Sequence, residues 1–307
     1  MQNRAQPVAE ERPEVQGRLI KPVHIVVGII GLVVFAAAAY GMASGYVVEG
    51  IGWTEIVITN AVMILAAGLA GLSGFGLAQV SNGLLPLFLP AAAASIFFTP
   101  LAILASGTVI LSVRQHFQWK LYIFPLIGLL PALPTGTYLF SQWNNAQVKT
   151  AIGYTLIFAV IAIALFRQLD FVKNWVRETG FVPGWKLGIL AGGLAGFLGG
   201  AVGIPGPPMI VYGSTLMAIG VLSPSRTKAL FASVFCTILT YRMITLLVLG
   251  KVTLPLMIVS ALALPGVAIG VLTGIALFNR LASSAFNWIV LGLLFANALL
   301  LIFAGQG

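Results

Sequence analysis

Of 307 residues, 59% are apolar and only 7% charged, against roughly 25% charged in a soluble domain, so most of this chain has nowhere to sit but lipid. The formal net charge of +9 would suit nucleic acid, but basic residues standing in loops beside apolar runs are the ordinary bias of cytoplasmic loops, and no nucleic-acid partner is expected. A lone cysteine, Cys236, excludes an intrachain disulfide and a cysteine cluster for metal.

Residues 1–22 are polar and mixed in charge, and no small-residue cleavage site follows them, so they read as a disordered cytoplasmic tail and not a signal peptide. The run at 23–43 is an extra N-terminal span. A first transmembrane repeat then occupies 55–166, with apolar runs at 55–76, 83–113, 120–140 and 147–166. The run 83–113 is too long for one comfortable span and too short for two, which predicts a half-helix followed by a full one, with Pro86, Pro90 and Pro100 as places to turn. A cytoplasmic linker covers 167–185. The second repeat, 186–304, has runs at 186–203, 207–222, 225–249, 252–279 and 285–304, and Ser223-Pro224-Ser225-Arg226 divides its short piece from the next long one.

The two repeats share a near-copied heptad, Gly68-Leu69-Ala70-Gly71-Leu72-Ser73-Gly74 and Gly193-Leu194-Ala195-Gly196-Phe197-Leu198-Gly199. Each copy opens a stretch that is expected to break the helix: Ser81-Asn82-Gly83 in the first, Gly203-Ile204-Pro205-Gly206-Pro207-Pro208 in the second. Looser matches pair 130–136 with 264–270 and 154–159 with 291–296. Duplicated, interrupted apolar segments are the sequence mark of a carrier's binding site. If each short helix returns the chain across the bilayer, a half makes five crossings, and the odd number inverts the second half relative to the first. With the N-terminus cytoplasmic, thirteen basic residues fall inside and only Lys149 and Lys251 outside, with Arg242 left within a span. The C-terminus is then periplasmic. The expected fold is an all-α polytopic membrane protein, two inverted repeats of about five helices each plus one N-terminal span.

A helix N-terminus offers unpaired N–H groups and about half a positive charge, an anion site that needs no basic side chain. Pro207 is suited to a first helical turn, and Gly206 lets a ligand reach the backbone. Ser81 or Asn82 would cap the first short helix or turn toward the ligand, with Gln79 and Gly83 beside them. Tyr212 and Ser214 either line the same cavity or sit at an interface. Arg242, with no acidic residue in the core to pair with it, is either an anion ligand or gate, or an anchor that snorkels outward. Arg226 and Lys228 are placed at the inner mouth, where they would raise the local anion concentration. Gly68, Gly71, Gly193 and Gly196 read as helix-packing positions.

The stretch 193–213, followed by Arg226-Thr227-Lys228-Ala229 and a serine-bearing helix, resembles the second-half signature of the sulfite exporter TauE/SafE family, also called the toluene-sulfonate uptake permease family. The likeness extends over about 55–304. The first half carries Phe75-Gly76-Leu77-Ala78 where several glycines are common in that family. The resemblance implies export of small sulfur-containing anions, sulfite or organosulfonates such as sulfoacetate, across a bacterial inner membrane, with no cofactor. An anion channel or a sulfonate importer is the alternative, and self-association is left open. No metalloprotease motif, carboxylate pair or cysteine pair supports an enzyme. All seven acidic residues lie in the tail, in loops or at a span's first residue, so the anion's own gradient and the membrane potential are the expected driving force.

Overall fold

A computed structural model describes residues 22–166 except 47, residues 184–277, and scattered positions outside those ranges. The expected tail, the linker and the last span at 285–304 lie outside the described residues, apart from isolated positions. Among the described residues the secondary structure is helical: α1 (Pro22–Ala43), α2 (Trp53–Ser73), α3 (Leu77–Leu84), α4 (Ala91–Val113), α5 (Trp119–Gln142), α6 (Asn145–Phe166), α7 (Trp185–Val202), α8 (Gly206–Ala218), α9 (Pro224–Val248), α10 (Leu254–Leu262) and α11 (Leu264–Leu277). In lipid a backbone must satisfy its own polar groups, and helices do so. Among the described residues six helices, α2, α4, α5, α6, α7 and α9, are long and apolar enough to cross a membrane, and α10 with α11, bent by 44° at their junction, is apolar and long enough only as a pair, as a broken span or a re-entrant loop.

The run 252–279 reads as one long helix, and the bend within it departs from that expectation. Pro265 has no N–H to continue the ladder, and Asn60 of α2 takes up the groups the break frees. Its Nδ2 donates to Leu262 O at 2.9 Å, and its Oδ1 accepts from Gly266 N at 2.8 Å.

Glycine sets how the long helices pack. Along α5 and α7, Gly192 lies on Pro125, Gly196 on Leu129 and Gly200 on Leu133, so close that a methyl on any of these glycines would overlap the facing residue's backbone. Along α2 and α11, Gly266 lies on Asn60, Gly270 on Ile64 and Gly274 on Gly68 in the same fashion. Small residues that let backbones touch are how helices associate where lipid removes the hydrophobic drive. In each pair the residue numbers rise together, so α5 is parallel to α7 and α2 to α11.

Two contacts then fix the sense of the halves. A methyl on Gly50, just before α2, would lie 4.0 Å from Pro90, just before α4, and Ala92 N donates to Asn145 Oδ1 at the start of α6, 3.0 Å. So α3 returns the chain to the side from which α2 set out, and α2, α4 and α6 start on one face. As the next span, α5 runs the other way, and α7 runs with it. The first long helix of the second half therefore opposes the first long helix of the first.

Candidate functional site

Both interruptions begin with a left-handed glycine. Helix α2 stops at Gly74 (φ 78°), whose N–H bonds Ala70 O at 2.8 Å, and Gly76 (φ 104°) starts α3. Helix α7 stops at Gly203 (φ 73°), whose N–H bonds Gly199 O at 3.0 Å, the bond of a left-handed glycine cap, as at Gly74. A side chain in that backbone region costs about 1–2 kcal/mol.

The first break is therefore not at Ser81-Asn82-Gly83, and neither Ser81 nor Asn82 caps α3. All three lie inside that helix and are buried. Ser81 fits because its hydroxyl turns back to Leu77 O at 2.5 Å, the usual accommodation of serine within a helix. The half-helix accordingly begins at Leu77 and not at residue 83. The second break falls where expected: α8 opens at Gly206, with Pro207 and Pro208 in its first turn.

The two breaks meet. Gln79, in the first turn of α3, abuts Gly206, the first residue of α8, so closely that a methyl at 206 would overlap Gln79 Nε2. One turn on, Asn82 Nδ2 donates to Val202 O at 3.2 Å and reaches Gly203 O at 3.5 Å. On the side of Gly203 where a side chain would stand, the position of a methyl would lie 3.0 Å from Asn82 Nδ2, 3.2 Å from Arg242 Nη1 and 3.2 Å from Phe98.

Arg242 is wholly buried, which rules out the snorkelling anchor. Its Nε donates to Gly200 O at 3.1 Å, Nη1 to Ser95 O and Thr99 Oγ1 at 2.7 Å each, and Nη2 to Ser95 Oγ at 2.9 Å. The guanidinium also lies 5.0 Å from the centre of the Phe140 ring. Every one of these acceptors is neutral. The contacts satisfy the geometry of the fork and leave its charge in place, in surroundings where an isolated charge is strongly disfavoured.

Four buried side-chain atoms have no hydrogen-bond partner among the described residues, and two of them stand at this junction, Gln79 Nε2 and Asn82 Oδ1, on side chains 1% and 0% exposed; the other two, Thr59 Oγ1 and His116 Nδ1, lie elsewhere. Buried polar atoms are nearly always bonded, and such exceptions point to a ligand or water. Helix α8 directs the positive end of its dipole here, yet Pro207 and Pro208 have no N–H to give. The helix supplies potential, and the donor stands on Gln79.

The remaining candidates sit elsewhere. Tyr212 is buried with its hydroxyl toward Gly188 near the start of α7, where a methyl on that glycine would lie 3.1 Å from it. Arg226 is exposed. Lys228 is 2% exposed and packs against Gly74 at the first break, not in an open mouth. Sequence reasoning missed Ser95, Thr99, Gly200 and Gly203 as partners of Arg242 and Asn82. A signal for the first two existed, since hydroxyls at i and i+4 in an apolar helix share one face and a lone buried arginine needs acceptors.

The protein-family model described as sulfite exporter TauE/SafE matches residues 58–301. Comparison with curated proteins and with solved structures gave no match. Because the family match takes in both breaks and the helix of Arg242, the chain belongs to the sulfite exporter TauE/SafE family of membrane transporters.

Proposed function

We propose that this protein is a secondary carrier that exports a small sulfur-containing oxyanion across the bacterial inner membrane by alternating access, holding it where α3 and α8 begin. The observation that carries this reading is Arg242, a buried cation with only neutral partners among the described residues, beside a buried donor, Gln79 Nε2, that has none. A bound anion supplies the missing countercharge and accepts from the free N–H. The opposed senses of α2 and α7, and the exchange of partners between α2 with α11 and α5 with α7, support two inverted repeats that rock about this junction. Gln79, Asn82, Gly206 and Pro207 form the binding positions, with Arg242 as countercharge; Ser81 and Gly83 shape the half-helix that presents them. Arg226, exposed at the start of α9, draws anions to the cytoplasmic face in the orientation that places the N-terminus inside and the C-terminus in the periplasm. Tyr212 packs the short helix and does not touch the ligand.

The membrane potential drives exit, at about 2.3 kcal/mol per charge per 100 mV. The test is efflux of radiolabelled sulfite from proteoliposomes with an imposed potential. Saturable efflux that quickens when the side facing the N-terminus is negative is expected. Unsaturable ohmic current makes the protein a channel, and efflux that at equal pH on both sides ignores the imposed potential, or follows an imposed sodium gradient at clamped voltage, overturns the membrane potential as the driving force.

A further inference from the structure

Resting on the anion site proposed above, the geometry points to Asn82 as the residue that chooses among anions: its side-chain oxygen selects an oxyanion that still carries a proton over one that carries none. Both partners of the Asn82 amide, Val202 O and Gly203 O, are backbone carbonyls. Carbonyls only accept, so the NH₂ end of the amide has to face them and Oδ1 is turned away. That oxygen is buried without a partner among the described residues. Gln79 Nε2, three residues earlier and so on the same helical face, is a buried donor in the same condition. One face of α3 therefore carries, three residues apart, one free donor and one free acceptor.

A fully ionised oxyanion has acceptors only. It satisfies Gln79 and the charge of Arg242, but sets its lone pairs against those of Asn82 Oδ1, and a buried polar atom left unmatched weakens binding steeply. An anion with one hydroxyl satisfies both ends: an oxygen accepts from Gln79 and the hydroxyl donates to Asn82. Among sulfur oxyanions, hydrogensulfite in its O-protonated form has that hydroxyl, and sulfate and alkanesulfonates near neutral pH do not.

Methylphosphonate and methanesulfonate separate the two cases, since as monoanions they are near-isosteric and differ by one hydroxyl hydrogen. With the purified full-length chain in lipid nanodiscs, titration calorimetry at a pH where the phosphonate holds one proton is expected to show methylphosphonate binding about tenfold or more tighter. Asn82→Ala should collapse that preference, and Gln79→Leu should weaken both anions alike. Sulfite affinity should rise as pH falls through its protonation while methanesulfonate affinity stays level. Equal affinity of the wild-type chain for the two test anions, or preference for methanesulfonate, overturns the assignment and leaves the anion site standing. Failure of both anions and of sulfite to bind overturns the site and this assignment together.

Discussion

The two breaks are built from the same glycine turn and furnished differently. After Gly76 the first break has Gln79, Ser81 and Asn82 within six residues, on a helix that keeps its early N–H groups; after Gly203 the second has a proline cap, a glycine and two further prolines, and no polar side chain in its first turn. One repeat brings functional groups and the other brings shape, a smooth glycine surface against which those groups are set. In the proposed site, two similar turns furnished differently let a nearly symmetric scaffold hold an unsymmetric ligand.

The largest effect is expected where the two frames are tied together. Arg242→Met keeps the bulk of the side chain and removes both the charge and the four bonds that join α9 to α4 and α7. Anion affinity should fall about a hundredfold or more, near 3 kcal/mol, as expected when one member of a buried charge pair is removed. Arg242→Lys keeps the charge without the fork and should recover part of that loss. Calorimetry on both variants is the check, and an Arg242→Met protein that binds sulfite normally would make the residue a brace and nothing more.

Next comes the surface on which the groups rest. Gly206→Ala places a methyl on Gln79 Nε2 and should expel that side chain from the junction, lowering sulfite affinity about tenfold, the effect of losing a hydrogen bond to a charged group. Gly193→Ala is the matched control, since its methyl would meet Gly128 O at 3.6 Å, ordinary contact. Its efflux rate should stay near wild type. If both variants bind alike, the contact between the breaks plays no part in recognition.

The sequence made much of this legible and misplaced one part. Repeated glycines announced two broken helices, and the second break was placed correctly because prolines at 205, 207 and 208 leave a helix no other reading. The first was misplaced because Gly74 and Gly76 sit in an apolar run, where their left-handed backbone is invisible, while Ser81 and Asn82 look like a polar interruption. Their polarity is met within the fold, by Leu77 O and by the end of α7. Composition alone cannot reveal a partner 120 residues away in sequence. The bend at Ala263 was hidden for a similar reason, since Asn60, which stabilises it, lies two hundred residues earlier and reads as an ordinary polar residue in a span.

Gln79→Leu isolates the functional half of the comparison, because stability and binding should move in opposite directions. An unpartnered buried donor disfavours the folded state by about 1–3 kcal/mol, so the leucine variant should unfold at a higher temperature in the absence of ligand. The same change removes the N–H offered to the anion, and sulfite should bind several-fold more weakly. A variant both less stable and weaker in binding would mean that Gln79 braces the junction.

Ser81→Ala should do least. Its hydroxyl is committed to Leu77 O inside α3, a bond that contributes little to a helix already closed by its own ladder, so a stability change within about 0.5 kcal/mol and unchanged sulfite affinity are expected. The residue lies between Gln79 and Asn82 in sequence but does not share the face on which residues three apart meet. If Ser81→Ala loses anion binding as Gln79→Leu does, the ligand contacts α3 on a second face, and the division between a repeat that brings groups and a repeat that brings shape has to be drawn around the whole half-helix instead of one side of it.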